Sequence, residues 1–249
     1  MAAEEPLPGE EPLYALAALF IEAERTVREL LRQAPGGDRR SLLAEALAVL
    51  LGLRREAQGA GAWVVLAYVV ARDAVAAITG RAPLTVQGQG DDYGRDLGRR
   101  LAVKLDRLAV QADGNAREAF SRTREDNLAD TEHLSVTGRV DRLGRRQTIA
   151  AEASMLTATS ARHATTRATL DALPPGELVR FKTSGKSCSI CKPHRGKTYQ
   201  VEDTPRPPLH PTCDCILVPV DATPARLISA MRVEAVKRFY EKPARRRAA

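Results

Sequence analysis

The chain has 249 residues, of which 44% are hydrophobic, 28% charged and only 4% aromatic, with a formal net charge of +7. That profile excludes a disordered or fibrous chain and leaves room for one large domain or two small ones, each with a real core. Alanine and leucine far outnumber aromatics, which favours helices packed on helices over an all-β fold, and the basic balance permits contact with acidic surfaces without naming one.

In chain order, residues 1–12 (MAAEEPLPGEEP) are acidic and proline-rich and read as a flexible or docking tail. A first helix is expected from Pro12 to about Ala34, where Leu13, Leu16, Phe20, Val27, Leu30 and Leu31 recur at helical spacing until Pro35-Gly36-Gly37 stops it. Asp38 or Ser41 can cap a second helix through LLAEALAVLLGLRREA, which Gly59 and Gly61 are expected to break. A third, apolar helix is expected from about Ala62 to Ile78, followed by the breaker-rich loop RAPLTVQGQG. A long helix then runs from Asp91 towards Glu132 on a stripe of Leu97, Leu101, Leu105 and Leu108, with Gly114 a candidate interruption. The stretch 134–144 reads as a turn or short hairpin. A further helix is expected from about Arg145 to Leu173, ended by Pro174-Pro175-Gly176. The texture then changes: ELVRFKTSG, KTYQVED and CILVPV read as three short strands, and Thr223-Pro224 opens a last helix reaching about Tyr240.

The N-terminus is the opposite of the basic start of a secretory signal, and the most apolar stretch, Ala60 to Ala71, is shorter than a bilayer-spanning helix and is expected to be buried. Both observations point to synthesis in a cytosol and to no membrane partner. There is no GxGxxG and no P-loop, so nothing marks a nucleotide site. Charge is uneven: residues 1–36 hold seven acids against three arginines, whereas residues 137–200 hold twelve Lys or Arg against four acids.

All four cysteines, with His194 and His210, fall within residues 186–215 (KSCSICKPHRGKTYQVEDTPRPPLHPTCDC). Cys188 and Cys191 form C-x2-C, a spacing that lets two thiolates reach one ion from a tight turn. After 21 intervening residues come Cys213 and Cys215, with His210 three residues before Cys213. In a reducing compartment this clustering favours metal over disulfides. Sulfur and imidazole donors without carboxylates favour Zn2+ over calcium or magnesium. There are five candidate ligands, Cys188, Cys191, His210, Cys213 and Cys215, for a site that takes four. Cys188 and Cys191 form the first pair, and the second is drawn from His210, Cys213 and Cys215. His194 ranks below His210, as a residue able to support the ligands. No general base stands out nearby, so a structural zinc is expected over a catalytic one. A loop this poor in large apolar side chains needs such a staple.

The pattern CSICKPHRGKTY followed by PPLHPTCDC resembles the C-terminal motif of phage minor head proteins, the Mu F-like head morphogenesis family and the related minor capsid proteins of actinobacterial phages. The matching positions are Cys188, Cys191, Gly196, Lys197, His210, Pro211, Cys213 and Cys215. Where the family usually carries arginine between the last two metal-binding positions, this chain has Asp214. The resemblance covers about residues 139–220. It implies a non-enzymatic virion component inside the head near the portal vertex, present in several copies, contacting portal or major capsid protein and acting in head assembly.

The expected fold class is therefore mainly α: a helical body, a small zinc-stapled β module near the C-terminus, and a terminal helix. The expected division is a flexible acidic tail over 1–12, a helical N-terminal domain over 13–136, a head-morphogenesis-like module with the zinc site over 137–222, and a C-terminal helix with a basic tail over 223–249. The acidic tail and the apolar helices within 42–78 are the expected docking surfaces. The basic stretch Arg139–Lys197 and the tail from Lys237 read equally as a weak, non-specific contact for packaged double-stranded DNA or as a solvated basic face. A zinc-dependent DNA-binding or DNA-processing protein is the alternative, and a zinc hydrolase a weaker third. His133 is expected at a solvated helix end, His163 on a polar or core face, and Trp63 and Tyr68 in helix packing.

Overall fold

The computed structural model describes residues 6–34, 36–81, 89–122, 137–140, 146–183, 189–210 and 213–241. Cys188, Pro211, His133, the reach from 123 to 136 and the basic end beyond Glu241 lie outside the described residues. Within them the protein is mainly helical, with a three-stranded antiparallel sheet near the C-terminus and a terminal helix, as the composition and breaker pattern imply. The helices are α1 (Glu11–Gln33), α2 (Arg39–Thr79), α3 (Gln89–Arg122), α4 (Ile149–Asp171) and α5 (Pro224–Glu241); the strands are β1 (Thr137–Val140), β2 (Arg146–Thr148), β3 (Leu178–Lys182), β4 (Thr198–Gln200) and β5 (Ile216–Pro219).

Helix starts follow their caps. Asp38 Oδ1 accepts from the Arg40 N–H at 3.0 Å, so Asp38, not Ser41, caps α2. Thr148 Oγ1 accepts from the Ala151 N–H at 3.0 Å, which begins α4 at Ile149 rather than at Arg145; residues 146–148 instead pair with β1 as a hairpin. Thr223 Oγ1 accepts from the Arg226 N–H at 3.2 Å, with Pro224 at the first helical position of α5.

The glycine breaks expected in the first half do not form. Gly59 and Gly61 do not break the chain: α2 is a single helix of 41 residues. A helical glycine costs about 1 kcal/mol relative to alanine, and the burial of Leu53, Ala57, Ala60, Val64, Ala67 and Tyr68 along one continuous face outweighs that cost. The helix is long and apolar enough to cross a membrane by length and composition, and 44% of its most apolar window is buried inside the fold. α3 likewise continues through Gly114 without interruption.

The chain forms two compact units. One gathers residues up to Leu13, 62–98 and 158–249; the other gathers 14–61 and 99–157. The core of the latter is built from Leu16, Phe20, Val27 and Leu31 of α1, Leu50 and Leu53 of α2, Leu101, Leu105 and Phe120 of α3, and Ile149 of α4. Here Glu24 of α1 accepts from the Ala150 N–H at 3.4 Å, placing a carboxylate at the positive start of α4; burial pushes its carboxyl up while Arg28 pulls it down.

The other unit carries the sheet, in strand order β4-β3-β5. Val179 and Phe181 of the central strand are fully buried, as are Leu217 of β5 and Met231 of α5. Of the expected tail 1–12, residues 8–10 form a turn, Leu7 and Glu10 are buried, and α1 begins at Glu11. Gly9 has φ +91°, and a Cβ there would stand 3.1 Å from Val70.

Candidate metal centre

The centre is set by how β3 receives the loop that follows it. After a turn at 189–191 the chain makes one 3-10 turn, Lys192–His194, closed by the His194 N–H donating to the Cys191 carbonyl at 3.0 Å. Gly196 then takes φ +72°, a left-handed conformation that glycine adopts freely. This brings the Gly196 N–H to the Phe181 carbonyl and the Phe181 N–H to the Lys197 carbonyl, both at 2.9 Å. β4 follows at once, paired to β3 with Arg180 opposite Thr198. The Gly196-Lys197 pair of the motif is thus the joint that locks the cysteine loop onto the sheet.

Cys213 and Cys215 come in just before β5, whose Ile216 pairs with Lys182 at the same end of the sheet. Cys191, Cys213 and Cys215 are 1%, 3% and 2% exposed, and their Sγ atoms all lie within 4.8 Å of one another. Cys191 Sγ is 3.5 Å from Cys213 Sγ, far beyond the ~2.05 Å of a disulfide, and none of the three is disulfide-bonded. Two sulfurs on one tetrahedral zinc, each about 2.3 Å from it, stand about 3.8 Å apart. Three buried sulfurs at this separation, with no carboxylate among them, fit a zinc ion, and they are close enough to hold one metal together.

His210 Nε2 lies 3.2 Å from Cys191 Sγ, so the histidine that precedes the second cysteine pair reaches back to the first. His194 is engaged elsewhere: its Nδ1 is 2.8 Å from the Tyr199 hydroxyl, and its ring packs 5.4 Å from Phe181. It braces β4 against β3. His163, half-buried on α4, has its imidazole pushed down by burial, with the charge of Cys213 opposing.

Crowding separates the thiols. Hydrogen bonding from Cys215 chiefly draws Cys213 down to about 5, while Cys215, donating to a neighbouring thiolate, is pushed up. A cation placed among the three sulfurs would take them as thiolate ligands.

Sequence reasoning missed Glu10. It is fully buried, accepts from Thr165 Oγ1 at 2.9 Å and from the Leu7 N–H at 3.0 Å, and faces Arg162 of α4. Thr165 and Arg162 lie more than 150 residues away, so no local pattern announces those contacts. No family model, curated protein or solved structure matches this chain.

Proposed function

We propose that the protein is a structural minor head protein of a bacteriophage, in which a zinc ion staples the C-terminal β module. One observation carries the reading: the two halves of the cysteine motif, which resembles that of phage minor head proteins, meet at the 3.5 Å contact of Cys191 with Cys213. Cys191, Cys213 and Cys215 supply three zinc ligands, and the fourth is His210 or Cys188. Burial of the three sulfurs suits a closed site, which holds a fold together rather than activating water. The protein acts in head assembly, near the portal vertex inside the head, in several copies bound to portal or major capsid protein. A groove of about 430 Å3, walled by Leu47 and Leu51 of α2 and Val110 of α3, is the proposed docking face.

The test is zinc per chain in the purified protein, with co-purification against the portal and capsid proteins of the same phage. One zinc and a stable complex with either partner support the reading. A metal that leaves without disturbing the fold, with loss of a DNA-processing activity, would replace it with the zinc-dependent DNA-processing alternative.

A further inference from the structure

The sheet is polarised by charge. Its register places Lys182 beside Ile216, with the Lys197 carbonyl bonded to Phe181, at the end where the cysteines sit. The opposite end pairs Leu178 with Gln200 and Val179 with Pro219, and the acids Glu177, Glu202, Asp203 and Asp221 flank those residues in sequence. The cysteine end carries Lys182 and, on the 3-10 turn and joint, Lys192, Arg195 and Lys197; Arg180 lies midway on the same outward face of β3 as Lys182. Asp214 is the single acid in sequence between Cys213 and Ile216.

Two readings of such cations compete. They could neutralise the thiolates, or they could meet an external polyanion. Lys192, Arg195 and Lys197 are all exposed while the sulfurs are buried, so their charges stand in water and not against the metal ligands. None of the five makes an ion pair among the described residues, in contrast to Arg81, whose guanidinium is held by Glu177 at 2.5 Å at the acidic end. Unpaired cations fixed on a sheet and a hydrogen-bonded turn suit a ligand with regularly repeated negative charge. Among the described residues no exposed aromatic platform accompanies them: Phe181, between Arg180 and Lys182, is buried, and Tyr199 is bonded to His194.

We propose that this basic end, formed by Arg180, Lys182, Lys192, Arg195 and Lys197, binds the phosphate backbone of double-stranded nucleic acid without reading its sequence. The proposal deepens the head-protein reading by naming a surface for packaged DNA. It rests on that reading only for the staple that shapes residues 189–197.

The experiment measures binding of the zinc-loaded full chain to a labelled random-sequence duplex as salt is varied. Each phosphate contact contributes about −0.9 to the slope of log K against log salt. Five contacts give a slope of about −4.5 at most, and the triple variant Lys192→Glu, Arg195→Glu, Lys197→Glu should lose about 2.7 of it and bind at least about tenfold more weakly at low salt. The pair Arg180→Gln, Lys182→Gln, which leaves the loop intact, should lose about 1.8. The comparison triple Arg99→Glu, Lys104→Glu, Arg107→Glu, on exposed α3 of the other unit, should leave the slope unchanged. No duplex binding by the wild type, unchanged slopes in both sheet variants, or an equal loss in the α3 variant would overturn the proposal. Zinc is counted in every sample, so a chain that binds duplex without zinc fails the staple and not this surface.

Discussion

Glu10 and Arg162 face each other at 3.7 Å with almost no solvent exposure on either side chain. Burial pushes the Glu10 carboxyl up, and Arg162, the Leu7 N–H and Thr165 pull it down, with the first influence largest. A raised folded value means that the favourable contribution of Glu10 is complete below its unfolded value, near 4.5, and is lost as pH rises through the folded value. Arg162→Met removes the strongest opposing influence and leaves the buried carboxylate with its two hydrogen bonds but no countercharge. We expect a loss of about 3–5 kcal/mol at pH 8 and a clearly smaller loss at pH 5. Denaturant titrations of wild type and variant at both values check this. A loss independent of pH would show that the pair matters through packing and not charge.

Removing the proposed zinc should act locally. Chelation at neutral pH should loosen residues 189–219 while the helices persist, because α1 to α4 have their own buried cores and the cysteine loop has few large apolar residues. Cys213→Ser and Cys215→Ser should each reduce zinc retention at least about tenfold, since a hydroxyl is a poor substitute for thiolate. Hydrogen exchange before and after chelation reads the prediction directly. Uniform loss of protection across the helices would contradict it.

Gly196 is the joint of the module. At φ +72°, alanine costs roughly 1–2 kcal/mol by backbone strain alone, because a Cβ there would meet no neighbour within 4 Å. Gly196→Ala should therefore weaken zinc retention about tenfold, and Gly196→Asn less, since asparagine tolerates this region better. Equal behaviour of the two variants would indicate that the loop had found another path.

Gly59 makes the opposite case. It is exposed in the middle of α2, and a Cβ added there meets nothing. Gly59→Ala should stabilise the protein by about 0.5–1 kcal/mol. Thermal unfolding measures it. A destabilisation would mean that α2 needs the freedom of glycine at that point, contrary to its unbroken course.

Much of this architecture was legible because its causes are local. Thr223-Pro224 and Pro174-Pro175-Gly176 act on their own neighbours, and the structure places helix boundaries beside both. The cysteine cluster was visible as a spacing, and Cys191, Cys213 and Cys215 do converge. Three features were not legible. Gly59 and Gly61 read as breakers because their local cost is visible and the continuous buried face that offsets it is tertiary. His194 looked like support for a ligand from its distance along the chain, yet its partners are Tyr199 and Phe181. Glu10 read as part of a tail because its acidic neighbours are local and Arg162 and Thr165 are not.

The sheet has β3 at its centre, so β4 and β5 are its edge strands. β4 is three residues long and β5 four. The Val220 N–H donates inward to the Leu178 carbonyl, so the preceding residue, Pro219, turns its ring nitrogen outward. A strand approaching that rim from another molecule finds no donor at Pro219 and little length on which to register. The β5 rim is therefore poorly suited to joining the sheet of a second copy into a ribbon.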